Sequence, residues 1–196
     1  MTLPPLVLAS ASPRRRQLLE LLGLAIEIIP ADVDERPEAG ELPAVFALRA
    51  ARDKALEVAG RHPERLVLGA DTVVELDSSV LGKPRSRAEA AAMLRALSGR
   101  EHLVHTAVAL ADGESVHSLV DTAEVRFAAL SDQAIEWYVS GPEPMDKAGA
   151  YAVQGRGGLF VLGVNGSPHT VVGLPVHRLP EIFACHGLDF WAYLSP

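Results

Sequence analysis

Residues 6 to 24 read LVLASASPRRRQLLELLGL, and the order of features within them decides the fold. Leu6 to Ala9 form a short apolar run that stops at Ser10-Ala11-Ser12-Pro13, after which Leu18, Leu19, Leu21 and Leu22 recur at helical spacing until Gly23. This is a strand, a loop and a helix. Ser12 stands where a helix N-cap belongs, with Pro13 at the first helical position, where its fixed φ suits the helix and its missing N–H is not needed. The alternation continues outward. Residues 25 to 29 predict a second strand, Asp32-Val33-Asp34-Glu35 an acidic loop, residues 42 to 60 a longer helix, and Leu66 to Ala70 a buried strand that ends as it runs into Asp71-Thr72.

Beyond Asp71 the pattern turns antiparallel. Val73 to Leu81 predicts a hairpin turning at Asp77-Ser78-Ser79, followed by Gly82-Lys83-Pro84. Ser86 and Glu89 have capping-box spacing for a helix over 87 to 97, closed by Gly99. Strands near 102 to 111 and 115 to 128 join at Asp112-Gly113, and Ser131 caps a helix reaching about Ser140. Two more strands are expected at 149 to 153 and 158 to 164, then a turn at Asn165-Gly166 and a proline-interrupted C-terminal helix. Alternating strand and helix followed by antiparallel strands predicts an α/β protein with a mixed sheet flanked by helices, in a single domain over residues 1 to 196.

Composition narrows the function. With 48% apolar and 22% charged residues, the 196-residue chain has the balance of a globular protein with a substantial core. A net charge of −7 excludes a general nucleic-acid binder, so any anionic ligand must be met by a local cluster of cations and no stable nucleic-acid complex is expected. The N-terminal residues carry no basic stretch followed by a long apolar run, and no window approaches the ~18 apolar residues of a membrane span. The expectation is a cytoplasmic protein without membrane association. Cys185, the single cysteine, lies in an apolar segment and reads as a small core residue.

Three groups of residues carry chemistry. In Ser10-Ala11-Ser12-Pro13-Arg14-Arg15-Arg16 a helix N-terminus, two hydroxyls and adjacent guanidiniums form a cradle for phosphate oxygens. Positive charge there opposes the helix dipole by ~0.3 to 1 kcal/mol unless an anion compensates, and the bland alternative is a capped helix with a solvated basic turn. The acidic positions come second: Asp34-Glu35 in a loop, and Asp71 presented at the end of a rigid strand at the sheet edge. Phosphoryl-transfer sites hold Mg²⁺ or Mn²⁺ with one or two carboxylates plus substrate oxygens, and a further carboxylate orients the attacking water. The third group is set by counting, since only three of 18 basic residues are lysines, Lys54, Lys83 and Lys147. In an arginine-rich chain, a retained lysine points to a site needing a compact ammonium. Other patterns fail. His102 and His105, three apart on a strand, face opposite sides and cannot share a metal, so they read as structural or exposed. Gly155-Arg156-Gly157-Gly158 lacks nucleotide-loop spacing and reads as a hairpin connection.

Taken together, the motifs resemble those of the Maf family of nucleoside triphosphate pyrophosphatases. They are LASASPRRRQLLELLGL at 8 to 24, Asp34-Glu35, ARDKA around Lys54, VLGADTVV at 67 to 74, LGKP at 81 to 84, MLRALSGREH at 93 to 102, DKAGAYAVQG at 146 to 155 and VVGLP at 171 to 175. The resemblance implies an elongated mixed sheet of the Maf and ITPase-like type, two lobes with a central cleft, and a triphosphate bound with a divalent metal. It implies Asp71 as the base that activates water, Glu35 as its partner in metal or water binding, and Ser10, Arg14, Lys54 and Lys83 as triphosphate contacts. Arg14, Thr72 and Gln154 match positions tied to the choice of base. Gln154 in AYAVQG is similar to the dTTP/UTP subgroup, and its amide offers a donor and an acceptor that suit the O4 and N3–H edge of uracil and thymine. Ser167-Pro168 departs from the family, where an aromatic residue often follows the serine. The resemblance further implies a homodimer. The alternatives are a nucleotide-binding regulator of cell division that needs no turnover, and a pyrophosphatase for 7-methyl-GTP.

Overall fold

A computed structural model describes residues 3–113 and 115–194. Seven strands, β1 (Leu6–Leu8), β2 (Ile26–Ile28), β3 (Val67–Leu76), β4 (Ser79–Leu81), β5 (Glu101–Asp112), β6 (Ser115–Phe127) and β7 (Val161–Asn165), form one mixed sheet in the order β2-β1-β3-β5-β6-β7, with β4 paired to β3. Six α-helices accompany them among the described residues: α1 (Pro13–Leu21), α2 (Pro43–Arg61), α3 (Arg87–Leu97), α4 (Asp132–Val139), α5 (Pro168–Val172) and α6 (Leu179–Cys185). The predicted mixed α/β class is the observed one. The chain divides into two compact units, the first built from the chain up to Asp71, Thr106–Asp121 and the chain from Gly173 onward, the second from Thr72–His105 and Thr122–Val172.

In the first unit β1 is wholly buried and parallel to both neighbours, pairing Leu6, Val7 and Leu8 with Ile26, Glu27 and Ile28, and Val7 and Leu8 with Val67 and Leu68. Parallel pairing buries a strand on both faces, which is why LVL reads as an unbroken apolar run. Helix α2 lies against β3 through a face of small residues, Ala47, Ala50, Ala51, Ala55 and Ala59. Contact is so close at Gly69 that a Cβ there would stand 2.3 Å from the Ala51 carbonyl oxygen. Gly69 is thus a spacing residue, present because nothing larger fits between strand and helix.

The second unit has its own core, in which Leu94, Leu97, Phe127, Tyr138, Tyr151 and Phe160 are buried together. Phe127 meets Tyr151 and Tyr138 meets Phe160 edge-on, with ring centroids 4.7 and 5.0 Å apart, the geometry that brings a positive ring edge to a negative face. Ser86 caps α3 by accepting from Glu89 N, and Ser131 caps α4 by accepting from Ala134 N, as the sequence predicts. The β3–β4 turn is tighter than expected, with Asp77 and Ser78 alone at positive φ.

Three expectations are corrected. No strand forms at 149–153; Ala148–Ala150 and Arg156–Phe160 are 3₁₀ turns, and β7 begins only at Val161. The glycine-rich run therefore lies in a 3₁₀ turn rather than linking two strands of a hairpin. Cys185 is exposed, because α6 buries Leu179, Ile182 and Phe183 and turns its last residue outward. Among the described residues no helix is long and apolar enough to cross a membrane.

Candidate active site

Asp71 lies within β3 rather than at its end, and β3 is an interior strand, not a sheet edge. A carboxylate after LVLGA reads as a terminus, yet the apolar pattern resumes at Val73 and Val74 and carries the strand on to Leu76. Since β1 last pairs with β3 at Leu68, Asp71 sits just past the end of its neighbour. Its side chain is only 12% exposed, so a charge there requires a partner.

Lys54 is that partner. Positions 47, 51, 54 and 58 fall on one face of α2, and Lys54 is the single charged member of this buried stripe. Its Nζ donates to Asp71 Oδ1 at 2.6 Å and lies 2.6 Å from Glu35 Oε1. One ammonium therefore joins two carboxylates. Asp34, beside Glu35, faces elsewhere and forms an exposed bidentate pair with Arg36.

Helix α1 decides which of three arginines turns inward. Arg15 shares the buried face with Leu18 and Leu19, whereas Arg16 faces water and pairs with Glu20. Arg15 Nε donates to the Gly173 carbonyl at 2.8 Å and Nη1 donates to Ser10 Oγ at 3.0 Å. Burial lowers its pKa from the ordinary value, while the charges of Asp71 and Glu35 act to raise it. Arg14 is half-buried and close enough for its charge to act on Arg15. Arg15 is thus a site residue that the motif did not single out, and its i, i+3 and i, i+4 spacing to Leu18 and Leu19 was the signal. Ser12 occupies the N-cap position but makes no side-chain cap, and instead donates its N–H to Ser10 Oγ at 3.3 Å.

Ser10, Arg15, Glu35, Lys54 and Asp71 are therefore gathered in the first unit. The two carboxylates and three cations, counting Arg14, are what an anionic ligand with a divalent cation requires. Glu35 and Asp71 form a donor set suited to Mg²⁺ or Mn²⁺ when phosphate oxygens and water complete the shell. Among the described residues no group of three or more His, Cys, Asp and Glu is arranged to hold a metal by itself, so the fit is to a shared site, not a protein-only cage.

Thr72, Lys83 and Gln154 belong to the second unit. Thr72 follows Asp71 in β3 and is half-buried. Lys83 is exposed beside Gly82, whose carbonyl accepts from Gly149 N at 3.2 Å. Gln154 is exposed at the turn leading into Arg156–Phe160. His102 and His105 are both buried with different partners, His102 Nε2 on Tyr151 Oη at 2.8 Å and His105 Nε2 on Glu75 at 2.7 Å, as structural histidines. Burial pushes His102 down to about 4. Lys147, the third lysine, pairs with the adjacent Asp146.

Residues 5–185 match the family model described as Maf-like protein. The chain is 54% identical over 183 residues to a dTTP/UTP pyrophosphatase of Myxococcus xanthus, covering 93% of each. It is 57% identical to a protein of the same name from Anaeromyxobacter dehalogenans, over 88% of this chain and 89% of that one. With the Photorhabdus laumondii protein of that name the identity is 51%, over 90% and 91% of the two chains.

Proposed function

This chain belongs to the Maf family, and on that premise we propose that it hydrolyses dTTP and UTP to the nucleoside monophosphate and pyrophosphate. The observation that carries the reading is the Lys54 ammonium held at 2.6 Å from both Asp71 and Glu35, beside the buried guanidinium of Arg15. A binder of phosphates needs cations; a strand-borne carboxylate kept among them suits the activation of water.

In the proposed reaction water attacks the α-phosphorus, the bond from that phosphorus to the oxygen bridging the β-phosphorus breaks, and Asp71 takes the proton from the attacking water. Lys54 occupies one lone-pair direction of Asp71 Oδ1, which leaves acceptor capacity on a carboxylate that has about four. Lys54 also fixes the orientation of that carboxylate, so the base does not have to be reorganised as the reaction proceeds. Arg14 and Arg15 offset the charge that builds on the departing pyrophosphate, and Ser10 holds the Arg15 fork. Glu35 and Asp71 would hold a divalent cation, which supplies further neutralisation of the triphosphate oxygens. Family resemblance supports Lys83 as a further phosphate contact, Thr72, Gln154 and Arg14 in the choice of base, and a cytoplasmic homodimer.

The test follows pyrophosphate from purified protein with Mg²⁺ or Mn²⁺ and a panel of nucleotides that includes dTTP, UTP, CTP and 7-methyl-GTP. Release from dTTP and UTP is expected, stopped by chelation, and reduced roughly 10² to 10⁴-fold in kcat by Asp71→Asn. Unchanged turnover in Asp71→Asn removes the assigned base, and faster cleavage of 7-methyl-GTP overturns the choice of substrate.

A further inference from the structure

The second unit holds a carboxylate that the proposed chemistry does not use. Glu143 opens the 3₁₀ turn Glu143–Asp146, after α4. Its Oε2 accepts from Arg156 N at 3.0 Å, and its Oε1 accepts from Gly157 N at 3.0 Å and from the Tyr138 hydroxyl at 2.8 Å. Burial alone would raise its pKa, but these backbone and hydroxyl donors outweigh that and hold it below the ordinary value. Tyr138 in turn accepts from Ala152 N at 3.3 Å. The pair thus grips the chain at Ala152 and again at Arg156 and Gly157, on either side of Gln154.

The glycines between these grips are shaped by them. A Cβ on Gly155 would stand 2.4 Å from Glu143 Oε2, and one on Gly157 would stand 2.8 Å from the Tyr138 hydroxyl and 2.9 Å from the Ala152 carbonyl oxygen. A methyl group on Gly157 would meet backbone, and one on Gly155 would have to displace the Glu143 carboxylate from its bonds. The Gln-Gly-Arg-Gly segment is therefore wrapped onto the half-buried Glu143 and the buried Tyr138, and the charge-assisted bonds of Glu143 take the place of the ladder that a strand would supply. Gln154 is exposed at the crest of this clamped segment.

We propose that Glu143 and Tyr138 are positioning residues for base recognition, holding the 152–157 segment so that the Gln154 amide meets the pyrimidine in a single orientation. The inference rests on the reading of this chain as a pyrimidine triphosphate pyrophosphatase. A Gln154 on a backbone free to shift can bring its amide to the base in several poses, including the reversed one that accepts cytosine. Clamping its backbone on both sides leaves the terminal torsion of the side chain free but fixes where that side chain starts and which way it leaves the chain, and so restricts the poses in which the amide reaches the base. Glutamine at position 143 has a single acceptor oxygen and cannot satisfy three donors at once.

The experiment measures kcat and KM for UTP and CTP, together with Tm, in wild type, Glu143→Gln, Tyr138→Phe, Gln154→Ala and the Glu143→Gln/Gln154→Ala double variant. Glu143→Gln is expected to raise KM for UTP about tenfold with kcat much less affected, and to lower the UTP-to-CTP ratio of kcat/KM by about tenfold. Tyr138→Phe should move the same ratio in the same direction by less, and it carries the test if Glu143→Gln does not fold. In the Gln154→Ala background Glu143→Gln should leave the ratio where Gln154→Ala alone put it. Equal loss toward both nucleotides, in step with lowered Tm, overturns the inference, as does a double variant in which the two effects multiply. A folded wild-type protein that cleaves neither UTP nor dTTP overturns the pyrophosphatase reading itself, whereas an active wild type whose selectivity survives these changes overturns only the role of the clamp.

Discussion

Gly69→Ala tests whether the spacing between α2 and β3 sets the geometry of the site. The added methyl would stand 2.3 Å from the Ala51 carbonyl oxygen, 2.8 Å from Ala55 N and 3.0 Å from Ala55 Cβ. The first two are backbone atoms, so no side chain can swing aside; the helix or the strand must move by about 1 Å to restore an ordinary contact distance. Over-packing of this kind costs about 1 to 3 kcal/mol. For a chain of this size that corresponds to a fall in Tm of roughly 2 to 12 °C. The same displacement acts on Lys54, which lies between Ala51 and Ala55 on the helix, and on Asp71, two residues beyond Gly69 on the strand. Their bond of 2.6 Å would lengthen to about 3.5 Å, at the limit of hydrogen bonding. Misplacement of about 1 Å at a reacting group costs on the order of 10²-fold in rate. Calorimetry and pyrophosphate release on the same preparation give both numbers. A variant with wild-type Tm and wild-type turnover would show that helix and strand are not held together as argued, and a lowered Tm with turnover intact would show that the Lys54–Asp71 contact is dispensable.

The remaining predictions concern the cations and pH. Lys54→Arg should lower kcat about 10²-fold or more, because a planar fork cannot replace a compact ammonium lying 2.6 Å from two carboxylates; equal activity would remove the argument from retained lysines. Lys83→Arg should raise KM for the nucleotide more than it lowers kcat, and steady-state kinetics that show no change in either would exclude it from phosphate binding. His102, held at about 4 in the folded protein against an ordinary value of 6.5, makes stability depend on pH. The unfolded chain takes up its proton first, so this contribution is fully present above pH ~6.5, declines as pH falls and is gone below about 4, a loss of about 3 kcal/mol. Urea unfolding at pH 7 and pH 4.5 should show most of that loss, about 2 kcal/mol, in wild type and not in His102→Gln; identical pH slopes in the two proteins would refute it.

Much of the fold and part of the site are legible in the residues themselves because those signals are local. Serine caps, apolar periods of 2 and 3.6 and the Asp112-Gly113 turn act between residues a few positions apart, and Asp71, Glu35 and Lys54 stand out by type and surroundings. The sequence determines that α2 has an apolar face and that Lys54 interrupts it. It does not determine which carboxylates come to that ammonium, since the packing of α2 on β3 brings Asp71 to it and the loop before α2 has to fold back to bring Glu35. Three consecutive arginines carry identical charge, and spacing to Leu18 and Leu19 is the sole sequence signal that sets Arg15 apart; the burial of those leucines in the core, with the turn of about 100° per residue in α1, selects it for the interior. Asp71 reads as the end of a strand, but the strand passes through it because Lys54 satisfies the charge where it stands. The segment after Lys147 has enough apolar residues to suggest strands, yet its backbone donors go elsewhere: Gly149 to Gly82, Ala150 to Lys147, Ala152 to Tyr138, and Arg156 and Gly157 to Glu143. Tertiary structure decided each of these points for one reason. The free energy of a buried polar group depends on its partner, and that partner is supplied by the fold, often from a distant part of the chain.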